Sequence, residues 1–452
     1  MKVADFAYQY SSASRFGAIA NEKALLFSHC SEIEADDAID CFYYGRFTNS
    51  FLASQCLVTL AKTVRSHFAI AQGLHMRLRD PIISVGNSQL RFEGFSSCNG
   101  VYARIDMDDA SLDGEFLNEG CTNIDFNNPT IRAFNEVGRG EKLILGIGEK
   151  ETNFITETEN IIEKKVNLPT RWIKGLGNVQ TYLSEMQCAF KLTKIEAIQF
   201  FRSVPKTPVK NDYFIVKEKS KCYLSTTAKP KALRIAGVHR LTLLNGLLTL
   251  VDSVSFYANE SEQSLAITMH FKNMRMLFVF SPGVYRGFSG EGKTLENQTL
   301  ILPDDYILGV NQLCKTNGVF DTNTLAIEND VDFRLMDSLT ATLSSIGLLG
   351  YDLEEQQHFY RRLPFKLNRL KGLNPRFANA QKLVAKNFIE ITSAKSGVIV
   401  AQVKGTDGIT HKVILDSNQN RCTCTWYTKH QDKRGFCKHI LGVQMKLEGT
   451  DS

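Results

Sequence analysis

The sequence lacks any uninterrupted apolar segment of the roughly 18 residues that a membrane-crossing helix requires. The best candidate, residues 241–250, is short and is soon followed by Asp252. The first residues contain no apolar core of the length found in secretory signal peptides. These absences argue against a protein with transmembrane helices, so we expect no membrane partner and a cytoplasmic location.

Cysteine is also scarce, with 11 residues in a chain of 452, and 11 is an odd number. This density is too low for a secreted disulfide scaffold, so we expect reduced thiols, with clustered cysteines bound to a metal. The sequence contains no Gly-x-Ser-x-Gly elbow, no His-Glu-x-x-His motif and no carboxylate cluster with metal-ligand spacing. It therefore indicates a protein that is not an enzyme.

The charge of the chain is unevenly distributed. Residues 361–452 carry 17 Lys and Arg against 6 Asp and Glu, a net charge of +11. Because the whole chain carries +5, the remaining residues carry −6. A basic tail predicts an acidic partner, of which nucleic acid is the obvious one. The alternative is that lysine-rich surface helices and a metal–thiolate site simply lie side by side.

The order of helix-like and strand-like segments predicts a multi-domain α+β protein. Its strands form antiparallel meanders with flanking helices, without the regular β-α-β alternation of a parallel sheet. We predict four parts, namely an N-terminal α+β module (1–150), a second α+β module (165–305), a helical connector (306–372) and a small ββα metal-binding module (373–452). The charged segment 148–165 is interpreted as a linker between the first two.

Local patterns predict several individual elements. Apolar residues at helical spacing predict a helix over residues 51–68, and Gly86-Asn87-Ser88 predicts the turn of a β-hairpin. Residues 330–346 and 352–362 are interpreted as two helices.

Two groups of charged side chains are expected to face solvent. The first group consists of Arg91, Glu93, Tyr102 and Arg104. Because these residues alternate along neighbouring strands, we assign them to a solvated sheet face. The other is assigned to the exposed face of a helix, and it consists of His358, Arg361 and Arg362.

Four residues near the C-terminus have the spacing of a metal site. Cys422 and Cys424 are two apart, which on a strand directs both side chains to the same side. Cys437 and His439 follow after twelve residues, where an apolar helical pattern begins. Three thiolates and one imidazole complete a tetrahedral Zn²⁺ site, so we predict one structural zinc per chain with no open position. His430, within the intervening loop, is the competing candidate ligand.

This arrangement resembles the SWIM zinc finger, in which two strands and a Cys-x-Cys pair precede a Cys-x-His pair on a helix. The resemblance implies binding to DNA or to a protein partner. Segments upstream are similar to the body of bacterial SWIM proteins, and they are residues 91–98, 100–104, 168–172, 285–292, 350–353 and 363–364. Because members of that family are often encoded near MoxR-type AAA+ ATPases and von Willebrand factor A proteins, the resemblance also implies an accessory role in such a system.

The leading hypothesis is therefore a recognition protein whose basic zinc module contacts DNA or a protein. The side chains expected to make the contact are Lys429, Lys433, Arg434, Lys438 and Trp426. For Trp426, packing against the metal-site helix is an equally open alternative.

A second hypothesis is an adaptor within an ATPase complex, and a third is a nucleotide-binding enzyme. The third rests on residues 287–294, GFSGEGKT, which match the phosphate-loop pattern letter for letter. Against it, the preceding strand pattern ends near Phe280, well before the first glycine, and Pro303 interrupts the expected helix.

Overall fold

The computed structural model describes residues 9–10, 15–19, 22–26, 30–31 and most of 41–448. Within that last range it leaves out 69–80, 167–169, 210, 220, 260–263, 285–286, 289–313, 315, 346, 362, 364–374, 396, 406–407, 417–418 and 432–435. The described residues form helices and antiparallel sheets, which confirms the predicted α+β class.

The strands of the first half, in chain order, are β1 (Gln9–Tyr10), β2 (Arg15–Ile19), β3 (Glu22–Leu26), β4 (Cys30–Ser31), β5 (Cys41–Phe47), β6 (Ile82–Gly86), β7 (Gln89–Phe95), β8 (Val101–Met107), β9 (Leu112–Phe116), β10 (Gly120–Asn123), β11 (Ile144–Gly148), β12 (Glu151–Ile155), β13 (Asn160–Lys164) and β14 (Gln187–Thr193). Those of the second half are β15 (Tyr213–Glu218), β16 (Lys221–Ser225), β17 (Leu233–Ile235), β18 (Ser253–Ala258), β19 (Leu265–Phe271), β20 (Met274–Phe280), β21 (Val319–Phe320), β22 (Leu349–Asp352), β23 (Gln357–Tyr360), β24 (Ile389–Lys395), β25 (Val398–Lys404), β26 (Thr410–Leu415) and β27 (Arg421–Cys422).

The α-helices are α1 (Ser50–Arg65), α2 (Asn128–Glu136), α3 (Thr170–Ser184), α4 (Lys194–Arg202), α5 (Thr322–Glu328), α6 (Phe333–Ser345), α7 (Pro375–Ala385), α8 (Thr425–His430) and α9 (Lys438–Glu448). Two 3₁₀ segments cover Asp109–Ser111 and Val238–Leu247. Among the described residues, every helix is too short or too polar to cross a membrane.

The largest sheet has eight strands in the order β10-β6-β7-β8-β20-β19-β18-β14. The predicted hairpin is confirmed, since β6 and β7 pair and Asn87 and Ser88 both have the positive φ that a tight hairpin turn requires. Strand β8 pairs with β20 from Val101↔Phe280 to Met107↔Met274. Strands from both sides of the predicted linker therefore hydrogen-bond within one sheet. The division into two modules stays a prediction, and a boundary between them would have to cut through this sheet.

The linker interpretation of residues 148–165 is wrong, because this segment forms β12 and β13. They extend a five-stranded sheet of order β13-β12-β11-β5-β9. Along β12 the buried positions alternate, with Thr152 and Phe154 inside and their neighbours partly exposed. The segment is charged and poor in core residues because it is the edge hairpin of a sheet with one wet face.

One hydrophobic core joins the two large sheets and the first four helices, and it extends from Phe42 to Leu363. The predicted helix at 51–68 is confirmed as α1, whose first turn is capped by the Asn49 side chain accepting from the Leu52 N–H. On α3, Trp172 is fully buried and its ring lies edge-on to Phe95, 5.7 Å between centroids. Gly94 leaves room for that ring, since a Cβ there would lie 3.2 Å from it.

The prediction of a helix at residues 352–362 is wrong. Residues 349–360 form the hairpin β22–β23, and β21 completes a three-stranded sheet beside α5 and α6. The polar residues that suggested a helix form the tight turn between the strands, where Gln356 has a positive φ. The helix predicted at residues 330–346 is confirmed as α6, whereas α5 and the small sheet in the same segment were not predicted.

This hairpin covers the polar face of the central sheet, so both predictions of solvated charges are wrong for the described residues. Glu93 is 0% exposed and receives bonds from Arg361 and from the Tyr102 hydroxyl, the latter at 2.5 Å. Asp106 pairs with Arg91 at 3.0 Å and with Arg104 at 2.8 Å. Buried charges persist only where they are paired, and this network supplies the pairs.

His358 belongs to the same hairpin and is buried. Its Nδ1 lies 2.9 Å from the Thr322 hydroxyl, and burial lowers the pKa of His358 to about 4. Arg362, the third member of the predicted solvated group, lies outside the described residues.

The C-terminal module has its own small core. The predicted strands and helices are present as β25, β26, α7 and α9, and the structure adds β24, β27 and α8. Its four-stranded sheet has the order β24-β25-β26-β27, and α9 packs against α7 and against this sheet. Ala401, Val403 and Val413 form the buried face under α9.

Candidate metal centre

Three elements bring the predicted ligands together at one end of the C-terminal sheet. Cys422 ends β27, and Cys424 is the residue immediately before α8. Cys437 immediately precedes α9, and His439 lies in the first turn of that helix. One strand, β27, and two helices, α8 and α9, therefore bring the four side chains close together.

The ligand atoms of these residues all lie within 4.8 Å of one another. The Sγ of Cys422 is 3.7 Å from the Nδ1 of His439. Zinc–ligand bonds of about 2.0–2.3 Å in a tetrahedron hold ligand atoms roughly 3.5–3.8 Å apart. The four residues are 6, 4, 2 and 3% exposed in chain order. The geometry is that of a closed four-ligand site that could hold a metal ion, with no position left for substrate.

Helix termini stabilise two of the sulfur atoms. The Tyr427 N–H donates to the Sγ of Cys424 at 3.4 Å, and the Ile440 N–H donates to the Sγ of Cys437 at 3.5 Å. Both donors belong to first-turn amides, which have no partner within the helix. They favour a thiolate at each position, which is the form that binds a metal.

Contacts among the three thiols oppose the ionisation of more than one of them in the absence of a cation. Contacts with Cys422 and then Cys437 hold the pKa of Cys424 far below that of an ordinary thiol. The contact with Cys424 is the main cause that raises the pKa of Cys422 to about 12, and contacts with both raise that of Cys437 well above its usual value. The protein alone therefore stabilises one thiolate with two thiols donating to it. A divalent cation would supply the charge needed to ionise the other two.

His439 is oriented for metal binding through Nδ1. Its Nε2 is buried and has no hydrogen-bond partner among the described residues. Its ring packs against His411 with 4.4 Å between centroids. His430, the competing candidate, is not one of the clustered ligands, and its ring packs against Trp426 at 4.4 Å.

The predicted contact residues occupy different environments around this site. Lys429 is exposed on α8, and Lys438, the first residue of α9, is partly exposed. Trp426 is half-buried, and the guanidinium of Arg376 lies 4.4 Å from its ring centroid. Lys433 and Arg434 lie outside the described residues. The role of these side chains in binding stays a prediction.

Three exposed cations lie on the strands next to the site, and they are Lys404, Lys412 and Arg421. Sequence reasoning placed Arg421 beside the metal but did not single out Lys404 and Lys412. Gln402 lies opposite Lys412, and Ile414 lies opposite Arg421, so these positions share one face of the sheet. Lys404 joins that face because it lies two residues beyond Gln402. The alternation of these residues with the buried Val403 and Val413 was the signal that could have found this face.

The glycine-rich segment 287–294 is only partly within the described residues, which include Gly287 and Phe288. A Cβ at Gly287 would lie 2.1 Å from the Asn99 carbonyl oxygen, and its φ is +55°. The Phe288 N–H donates to that same oxygen at 2.8 Å, and the Phe288 carbonyl accepts from Asn178. Because β20 ends at Phe280 in an antiparallel sheet, the strand–loop–helix frame of a phosphate loop is not met at the first glycine.

Comparisons with known proteins give limited information. No protein-family model matches the sequence, and no curated protein matches it. The fold is similar to proliferating cellular nuclear antigen from Entamoeba histolytica, with a TM-score of 0.37 and 11% identity over 53% of this chain and 98% of that one. It is also similar to the PCNA2–PCNA3 complex from Sulfolobus tokodaii, with a TM-score of 0.38 and 9% identity over the same shares. TM-scores below 0.5 do not establish a common fold.

Proposed function

We propose that the C-terminal module is a zinc-stabilised, SWIM-like recognition module that binds nucleic acid. The observation that carries this proposal is the basic face, which we define as Lys404, Lys412 and Arg421 on the outer side of the sheet. Three exposed cations on one face, beside a closed metal site, suit an extended anion with regularly spaced charges. One carboxylate, Glu390, lies opposite Gln402 on the same face and offsets part of the charge.

Zinc is the metal that best suits the donor set. Three sulfur atoms and one imidazole nitrogen in a closed tetrahedral arrangement are typical of structural zinc. The residues that would hold it are Cys422, Cys424, Cys437 and His439. When bound, zinc supplies positive charge that lets the thiols ionise, and it ties β27, α8 and α9 together. The metal thus stabilises the module, and the recognition is made by the side chains around it.

The charge distribution supports nucleic acid as the partner. The net charge of +11 over residues 361–452 lies in the same part of the chain as the basic face. Phosphate contacts release counterions, and each contact contributes about −0.9 to the slope of log K against log salt on duplex DNA. Three sheet cations would account for a slope of roughly −2.7, to which Lys429 and Lys438 would add.

The direct test is binding of labelled single-stranded and duplex oligonucleotides across a salt series, measured by fluorescence anisotropy. The variant Lys412→Gln/Arg421→Gln should weaken binding to every sequence alike and make the salt slope shallower by about 2. The matched control is Arg202→Gln/Lys206→Gln, which removes two exposed charges from the body. The proposal fails if the full chain binds neither oligonucleotide at low salt, or if both variants lose affinity equally.

Two alternatives from the sequence stay predictions. Docking to a protein, including an adaptor role beside an AAA+ ATPase, would leave the zinc module intact while nucleic-acid binding is absent. Nucleotide binding through residues 287–294 would require a conformation for Lys293 and Thr294, which lie outside the described residues.

A further inference from the structure

A polar cavity of about 320 Å³ lies where α3, α5, α6 and the β22–β23 hairpin meet. This volume is within the range of small-molecule sites. Its inner wall is made of buried polar side chains and one tyrosine, namely Gln180, Thr181, Thr340, Ser344 and Tyr351. The lining residues all lie between Gln180 and His358, so they include none of the metal ligands and none of the basic-face residues.

The rim of the cavity is acidic. Glu185, Asp321 and Asp337 line it, and none of the lining residues is a lysine or an arginine. His358 also lines it, and because burial lowers its pKa to about 4, it is neutral at pH 7. Burial and then the neighbouring Asp332 raise the pKa of Asp337 above its ordinary value, so a cation bound there would stabilise its ionised form.

Three hydroxyl groups that line the cavity offer hydrogen-bond acceptors to a ligand, and they belong to Thr181, Ser184 and Thr340. The Thr181 hydroxyl donates to the Gly177 carbonyl at 3.4 Å, and the Ser184 hydroxyl donates to the Thr181 carbonyl at 3.1 Å. The Thr340 hydroxyl likewise donates to the Asp337 carbonyl at 3.0 Å. Because each hydrogen is directed to its own helix, the oxygen lone pairs are left for a ligand that brings N–H or O–H donors.

Gln180 offers the cavity a hydrogen-bond donor, in contrast to the acceptors that the hydroxyl groups provide. Its Oε1 accepts from the Tyr351 backbone N–H at 2.7 Å, which fixes the orientation of the amide. Its Nε2 is buried, with the residue 1% exposed, and has no hydrogen-bond partner among the described residues. A buried amide N–H₂ without a partner costs free energy, and an oxygen atom of a ligand in the cavity would satisfy it.

The carboxylates do not converge on one point. Within the described residues, the only group of three or more acidic, cysteine or histidine side chains close enough to hold one ion is the cysteine–histidine cluster. A single metal ion therefore does not explain the acidic rim. The cavity has an acidic rim, hydroxyl acceptors and one amide donor. A ligand several ångströms long that carries a positive charge, hydroxyl donors and at least one oxygen acceptor matches all three features.

We propose that this cavity binds a small hydroxylated amine of the amino-sugar class. Its ammonium group pairs with the rim carboxylates, its hydroxyls donate to the wall oxygens, and one hydroxyl oxygen accepts from Gln180 Nε2. This proposal is independent of nucleic-acid binding by the C-terminal module.

The test is isothermal titration of the full chain with three matched six-membered-ring probes. Glucosamine carries the amine and the hydroxyls, glucose lacks the amine, and cyclohexylamine lacks the hydroxyls. We expect glucosamine to bind at least about tenfold more tightly than either of the others, since each loses charge-assisted or buried hydrogen bonds. Equal binding of cyclohexylamine and glucosamine, or no binding of glucosamine at millimolar concentration, would overturn the proposal.

Variants locate the site. Asp337→Asn should weaken glucosamine binding by up to about fivefold, the loss of one partly exposed ion pair. Glu328→Gln, the matched control, makes the same charge change on exposed α5 outside the cavity and should leave binding unchanged. Gln180→Glu keeps the acceptor for Tyr351 but removes the N–H donor, so it should reduce the preference for glucosamine over cyclohexylamine. Binding that is unaffected by both cavity variants would place the ligand elsewhere and refute the site.

Discussion

Replacing Glu93 by glutamine should lower the free energy of unfolding of the body by about 3 kcal/mol. Glu93 is fully buried and pairs with Arg361, which is 5% exposed and belongs to the segment that follows β23. The Nη1 of Arg361 donates to Glu93, and its Nε and Nη2 have no hydrogen-bond partner among the described residues. Removing the carboxylate charge therefore leaves a buried guanidinium without compensation, which costs about 3–5 kcal/mol in measured cases.

The lower end of that range applies because the glutamine carbonyl can still accept from Tyr102 or from Arg361. The body extends from Phe42 to Leu363. At an unfolding entropy of about 2.1 cal/mol/K per residue, a loss of about 3 kcal/mol corresponds to a fall in Tm of roughly 4–5 °C. The matched control is Glu159→Gln, which breaks the 2.8 Å pair with Arg132, a side chain that is 59% exposed. That exposed pair contributes about 0–1 kcal/mol.

Urea denaturation followed by tryptophan fluorescence measures both changes without the ionic screening that guanidinium introduces. The chain has two tryptophans, and Trp172 is buried in the body while Trp426 is in the C-terminal module. A Trp426→Phe background isolates the signal of Trp172. If Glu93→Gln costs no more than Glu159→Gln, the inference that this ion pair holds the hairpin to the sheet is refuted.

Three further predictions concern other sites. Cys424→Ser should abolish metal binding and unfold the C-terminal module, seen as lost metal content and altered Trp426 emission with Trp172 unchanged, whereas the exposed Cys188→Ser should change neither. A module that stays folded without metal would contradict this. Because His358 has a folded-state pKa of about 4 and an unfolded value near 6.5, unfolding takes up a proton between these values, so stability should fall as the pH decreases from about 6.5 to 4, by up to roughly 3 kcal/mol. His358→Gln should remove that part of the pH dependence, and an unchanged profile in urea titrations would show that His358 does not cause it. Gly287→Ala should destabilise the body by about 1–3 kcal/mol in thermal unfolding, because its Cβ would meet the Asn99 backbone and φ is positive. A nucleotide-dependent rise in Tm that Lys293→Ala abolishes would instead favour the phosphate-loop hypothesis.

Local patterns predicted much of the secondary structure. Apolar residues at helical spacing located α1, and the turn residues around Asn87 located the β6–β7 hairpin. These elements depend on contacts between residues close in the chain, which is why one sequence was enough to find them.

The wrong predictions of solvated charges share one physical cause. Arg91, Glu93 and Arg361 were assigned to solvent because isolated charges are usually exposed. Glu93 and Arg361 pair with each other across 268 positions, and the ring of Phe359 covers the Arg91 guanidinium at 3.8 Å. No local pattern contains these contacts. The predicted helix at residues 352–362 is wrong for a related reason, since its polar residues belong to the turn and second strand of a hairpin that packs against the central sheet.

The spacing of Cys422, Cys424, Cys437 and His439 was sufficient to predict that these side chains cluster closely enough to hold a metal ion, because a tetrahedral site needs its ligands at such a spacing. The basic face and the polar cavity could not be found in that way. The basic face required the register of β25, β26 and β27, and the cavity required α3, α5 and α6 to meet the hairpin. The sequence by itself determined the candidate metal ligands and the local elements, since these are set by chain-neighbour geometry. Only the tertiary structure decided which charges are buried and where a ligand could enter, because burial is a property of surfaces brought together from distant parts of the chain.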